Sequence, residues 1–281
     1  MMPTGTLQGP GVRAMGRTEA RGQAVMDVSY TVVVGSFFIF QVLFHTVTPR
    51  LSTLLSWGYK SLSQAQKTEW DSRCVSTVHA LVVGALSLYI LWFDDPVNRD
   101  RLWGDPRLVK FNIAITSGYL INDLVLLLRH WKTLGDRFFI SHHLAALYAY
   151  QYVLAQGLLP YFANFRLIAE LSTPFVNQRW FFEVLRFPRS ARLVVLNGVA
   201  MSVSFFLVRI AVIPSYYRQM ASTFGTAAFH RLGLGPQCAW IISSVALDIL
   251  NTIWMYKIAR GCWKILFTSQ KHRQAELSKS L

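Results

Sequence analysis

The feature that most constrains this chain is the recurrence of apolar stretches long enough to cross a bilayer. A hydrocarbon core near 30 Å requires about 20 predominantly apolar residues in a helix. Stretches of that kind occur at approximately 28–47, 74–93, 111–128, 138–156, 158–176, 193–213 and 238–259, separated by short gaps. In lipid every backbone polar group must be satisfied internally, so each stretch is expected to be helical. The reading is an all-α integral membrane protein with about seven transmembrane helices in one bundle. Asn164, Arg166 and Glu170 interrupt the fifth stretch, and only Gly157 and its neighbours separate it from the fourth, which predicts a tight helical hairpin.

Composition agrees with a membrane chain: 53% of residues are apolar and 15% charged, against about 25% charged in soluble domains. The net charge of +14 invites a nucleic-acid reading. The basic residues, however, punctuate the apolar runs and form no face interleaved with aromatics, so no nucleic-acid partner is expected. Lys and Arg in the loops instead set orientation. With seven crossings, one side carries 9 of them and the other 16. The richer side is read as cytoplasmic, which puts the N-terminus in the lumen and the C-terminus in the cytoplasm.

Residues 1–26 lack apolar periodicity and read as a disordered extension, 28–47 as the first transmembrane helix, and 267–281 as a basic cytoplasmic tail. Cys74, Cys238 and Cys262 are scattered and show neither disulfide nor metal spacing. The 7 histidines form no repeated i, i+3 or i, i+4 boxes. No metal and no resident cofactor is expected.

Ionisable residues inside apolar spans are expensive and mark functional candidates. Counted from the helix ends at 1.5 Å per residue, His79, Asp123, His142, His143, Glu170 and Asn197 form one layer, roughly 6–9 Å inside the cytoplasmic boundary. Asp248 and Asn251 lie deeper. Arg166 and Glu170, at i and i+4, share a helix face and are expected to neutralise one another. Interhelical hydrogen bonding that merely holds the bundle together is the alternative account of this layer. His142 and His143 carry the strongest claim to chemistry: a histidine beside a carboxylate such as Asp123 suits a general base. Adjacent helical residues point about 100° apart, so at most one of the two faces a cavity squarely. The run Glu170–Glu183 is the densest in unusual choices. Pro174 should end or kink the fifth helix. Trp180, Phe181 and Phe182, near Arg179 and Arg186, suit either an interfacial anchor or a mouth for a lipid headgroup.

Several of these segments resemble the TLC domain family. They are Trp70-x-x-Arg73 leading into Val75-Ser76-Thr77-x-His79-Ala80, then Gly118-Tyr119-x-x-x-Asp123, then His142-His143 followed by Ala145-Ala146-Leu147-Tyr148. The resemblance places a TLC domain at 61–266. It implies a barrel of six helices around a lipid-accessible cavity, with the first helix outside, in the endoplasmic reticulum membrane. The family includes ceramide synthases, translocation-associated membrane proteins and lipid-homeostasis proteins. In the synthases a matching histidine pair belongs to the acyl-transfer centre. Their motif continues with a His-Asp step, where this chain has Glu170-Leu171-Ser172-Thr173.

The function expected is therefore lipid homeostasis, through binding or sensing a membrane lipid or fatty acyl chain. An acyltransferase using acyl-CoA as co-substrate is one alternative, with His142, His143 and Asp123 as its catalytic group. A membrane-protein assembly factor is another. His79, Arg166, Glu170, Asn197, Asp248 and Asn251 are assigned to the lipid cavity or its polar layer. Self-association into a homo-oligomer is left open.

Overall fold

Helices account for all the regular structure in the computed structural model, which describes the backbone of residues 28–277 and side chains to residue 263. The extension at 1–26 and residues 278–281 lie outside the described residues. We number the helices α1 (Val28–Leu55), α2 (Gln64–Phe93), α3 (Arg107–Arg129), α4 (Arg137–Gln156), α5 (Pro160–Leu167), α6 (Thr173–Val184), α7 (Arg192–Ala221) and α8 (Leu234–Leu277). Of these, α8 runs through residues assigned to the tail.

Among the described residues five helices are both long and apolar enough to cross a membrane: α1, α2, α3, α7 and α8 up to Trp263. Length and composition thus do not by themselves confirm the expected count of seven. The fourth stretch does form the 20-residue helix α4, about 30 Å long at 1.5 Å per residue. Its histidines, tyrosines and Gln151 keep it out of the most apolar set.

The fifth stretch departs further from expectation. It is helical from Pro160 to Val184, but a 3₁₀ segment, Ile168–Ser172, divides it into α5 and α6. Pro174 neither ends a helix nor kinks its middle. It sits in the first turn of α6, where a missing N–H costs nothing and the fixed φ suits helix entry. The hairpin before it is as tight as expected. Gly157 caps α4 in the left-handed conformation at φ 71°, and Leu159 precedes α5 at φ 59°.

The packing closes into a ring. α2 packs on α3, α3 on α4, α4 on α8, α8 on α7, α7 on α6, and α6 back on α2. α5 enters the ring from the hairpin end and plugs it. Asn164, fully buried, donates to the Ser87 carbonyl of α2 (3.0 Å) and accepts from Asn112 of α3 (3.4 Å). Phe162 packs against Tyr216 of α7 and Trp240 of α8. These buried amides are bonded across helices, because an unsatisfied one in an apolar interior costs several kcal/mol.

Outside the ring, α1 lies across α2 and α3. Gly118 makes this approach close: a Cβ there would meet the Val33 carbonyl oxygen at 2.5 Å. At the other end of α1, Trp70 donates to Ser52 Oγ (2.9 Å) and Tyr59 to Asp71 (2.9 Å). Trp180 and Phe181 join this small cluster, with Phe181 4.5 Å from the Trp70 ring. Trp180 and Phe181 of α6 therefore pack on α2, while Phe182 meets Phe187.

Candidate functional site

The polar residues flagged in the sequence, Asn197 excepted, fall into three places. The first is beneath α1. His79 is 1% exposed, stacked on Tyr119 at 3.8 Å between ring centroids and met edge-on by Phe40. Neither of its ring nitrogens has a hydrogen-bond partner among the described residues. It belongs to the packing of α1, α2 and α3 and does not line the cavity.

The second place is between α3 and α4. His143 is buried, with Nδ1 3.4 Å from Asp123 Oδ2. The expected pairing of imidazole and carboxylate is present as a contact. It lacks the geometry of a hydrogen bond, since Nδ1 is without a partner of that kind. His142, one position earlier, is turned the other way, towards Trp254 of α8 (5.7 Å between centroids) and into the ring.

The third place is the ring interior. A cavity holding about 530 Å³ of atom-free space, counted to its open mouth, is bounded by His142, Arg166, Glu170, Arg209 and Asn251 among the polar residues. Phe165, Val208 and Leu247 supply apolar wall. Ala146, Tyr150, Arg166 and Leu247 also bound a second space of about 470 Å³, which continues along the α4–α8 groove past Ala149, Phe162 and Ala239. Polar groups thus meet one end of an apolar groove, an arrangement suited to an amphiphile.

The charges here pair differently from the sequence expectation. Arg166 does not pair with Glu170. Its guanidinium binds Asp248 of α8 with two parallel bonds, 2.5 and 3.0 Å, and lies 3.8 Å over the Tyr216 ring. The i, i+4 geometry fails because the helix tightens into 3₁₀ between the two residues, at Ile168, and side-chain registers shift when the repeat falls to 3.0 residues per turn. Glu170 instead accepts from Thr173 Oγ1 at 3.0 Å. Asn197 stands apart from the cavity, donating to the Phe175 carbonyl of α6 (3.0 Å). Asn251 belongs to it, accepting from Arg209 at 3.0 Å.

Arg209 is the site residue that the sequence reading missed. It is 8% exposed and sits in a π turn of α7, Phe206–Ile210. That turn packs on the 3₁₀ segment of the broken helix. Arg209 Nε donates to the Ala169 carbonyl (3.1 Å) and to Ser172 Oγ (3.0 Å), so one irregular turn ties down the other. An arginine inside an apolar run is the same signal that exposes the histidines. It lies near the end of the 193–213 stretch, where a basic residue reads as a boundary charge until packing shows which way it faces.

Comparison with known proteins gives a consistent result. The family model TRAM_LAG1_CLN8, described as the TLC domain, matches residues 69–260. TLC domain-containing protein 4-B of Xenopus laevis is 61% identical over 89% of this chain and 94% of its own length. The protein of the same name from Danio rerio is 60% identical over the same shares. TLC domain-containing protein 4 of Homo sapiens is 53% identical over 82% of this chain and 88% of its own. No solved structure matches the chain.

Proposed function

We propose a function from one established premise: this chain belongs to the TLC domain family. Within that family, we infer that it is a multipass protein of lipid homeostasis that holds a lipid or fatty acyl chain in its ring and so influences membrane lipid composition. The reading includes an endoplasmic reticulum location, a luminal N-terminus and a cytoplasmic C-terminus. One observation carries it. The cavity joins a polar end, with His142, Arg209 and Glu170, to the apolar α4–α8 groove, matching the two halves of an amphiphile. Lipid extracted from the purified protein should be enriched in one species over the surrounding membrane, as mass spectrometry would detect. Extracts with the bulk composition of that membrane would count against the reading.

An acyltransferase is supported by the contact of His143 with Asp123. In that chemistry a histidine takes the proton of an attacking amine or hydroxyl, the acyl group passes to it, and the thiolate of acyl-CoA leaves. The geometry divides the required parts. The histidine beside the carboxylate is off the cavity wall, and the histidine on the wall, His142, has no carboxylate within 4.0 Å. We therefore place binding ahead of acyl transfer. Acyl-CoA consumption by the purified protein, abolished in His142→Ala, would reverse that order.

A further inference from the structure

Two arginines share the wall of the ring cavity, and their surroundings differ in one decisive respect. Arg166 is neutralised by Asp248 through two hydrogen bonds. Arg209 has no carboxylate oxygen within 4.0 Å among the described residues. Its partners are all neutral: the Ala169 carbonyl, Ser172 Oγ, Asn251 Oδ1 and, at 3.5 Å, Thr173 Oγ1. Glu170 lies on the same wall, but Thr173 is its hydrogen-bonding partner.

A buried cation left without a compensating charge is costly, and single-partner burial is strongly destabilising where it has been measured. Guanidinium presents five N–H groups in a planar fork. The four contacts occupy Nε–H and one N–H on each terminal nitrogen, leaving one N–H on each terminal nitrogen for a further acceptor. The N–H groups of a guanidinium are matched by carboxylate and phosphate oxygens. The position suits such a group, since the apolar α4–α8 groove leads away from the same cavity.

We propose that Arg209 is the receptor for the oxyanion of an amphiphile, a carboxylate or a phosphate, whose chain lies along the α4–α8 groove. Asn251 and Ser172 hold the guanidinium in place, and His142 lines the same cavity. The assignment rests on the lipid-binding reading above and adds its charge selectivity.

The test uses the full chain in phosphatidylcholine nanodiscs, with empty discs as the reference. One arm compares oleate with oleyl alcohol; the other compares phosphatidic acid with diacylglycerol. Bound lipid is counted by mass spectrometry after capture of the discs. An anionic member should exceed its neutral counterpart by about tenfold, the scale of a hydrogen bond to a charged group. The responding arm identifies carboxylate or phosphate. Arg209→Gln should bring the two to parity, and Arg209→Lys should keep a preference for the anion. Equal uptake of charged and neutral partners by the wild type overturns the oxyanion assignment and makes Glu170 the counter-ion of Arg209. A preference that survives in Arg209→Gln overturns it as well. If Arg209→Gln does not fold, loss of the preference in a folded Arg209→Lys does the same. No uptake of any of the four overturns the lipid-binding reading itself.

Discussion

Arg166 and Asp248 form the one buried, two-bond ion pair among the described residues, and they join the broken helix to α8. Removing one partner of such a pair leaves an uncompensated charge and costs about 3–5 kcal/mol. Asp248→Asn should therefore lower the melting temperature of the detergent-solubilised protein sharply. Replacing both partners with apolar residues of similar volume should recover most of the loss. Asp248→Asn melting like the wild type would show that the pair contributes little. At this scale the sequence was informative about which residues matter and uninformative about their partners. Arg166, Glu170, Asp248 and Asn251 were all marked by standing in apolar runs. The pairing within them depended on helix register, and the 3₁₀ segment at Ile168–Ser172 changed that register. Asn197 was marked by the same signal and bonds a backbone carbonyl of α6 away from the cavity.

Individual elements carry two devices that propensity alone does not reveal. One is the facing pair of irregular turns, the π turn of α7 against the 3₁₀ segment, with Arg209 donating across to carbonyl and hydroxyl acceptors. Phe206–Ile210 contains no Pro or Gly to announce a break, whereas Pro174 stands two residues beyond Ile168–Ser172. Mid-helix irregularities of this type commonly attend functional sites. The other device is Gly118. Its missing side chain lets α1 settle on α3 with the Val33 carbonyl oxygen 2.5 Å from where a Cβ would stand. A backbone oxygen cannot rotate away as a side chain can, so Gly118→Ala should destabilise by about 1–3 kcal/mol. It should also expose the 56–63 link between α1 and α2 to protease. Gly198→Ala is the control, because nothing lies within 4 Å of the position its Cβ would take. Equal melting of the two variants would remove the close approach as an explanation for the docking of α1.

At the scale of the whole molecule, the ring encloses its buried ionisable residues and turns large apolar side chains outward. Leu196, Val199, Leu207 and Ile249, among others, are about half exposed or more. Such a surface is an aggregation hazard in water and unremarkable against acyl chains. If the broken helix crosses along with α4, the chain makes seven passes and its termini fall on opposite sides. A glycosylation-acceptor cassette fused ahead of residue 1 should then be modified in microsomes, and one placed after residue 281 should not. Modification of both or of neither would mean an even number of crossings. The broken helix would then enter and leave on one side.

Apolar run length by itself determined that this is a helical membrane protein. Single ionisable residues within those runs marked where its polar interior lies, because the hydrocarbon core imposes both rules residue by residue on the chain. Which polar group meets which was decided only by the tertiary structure. It separated His143, beside Asp123, from His142 on the cavity wall, assigned Asp248 to Arg166, and left Arg209 facing the cavity with neutral partners. Such partnerships depend on helix rotation, on the order of helices around the ring and on two irregular turns. Those are set by the sum of contacts across the bundle, and no local stretch of sequence carries that sum.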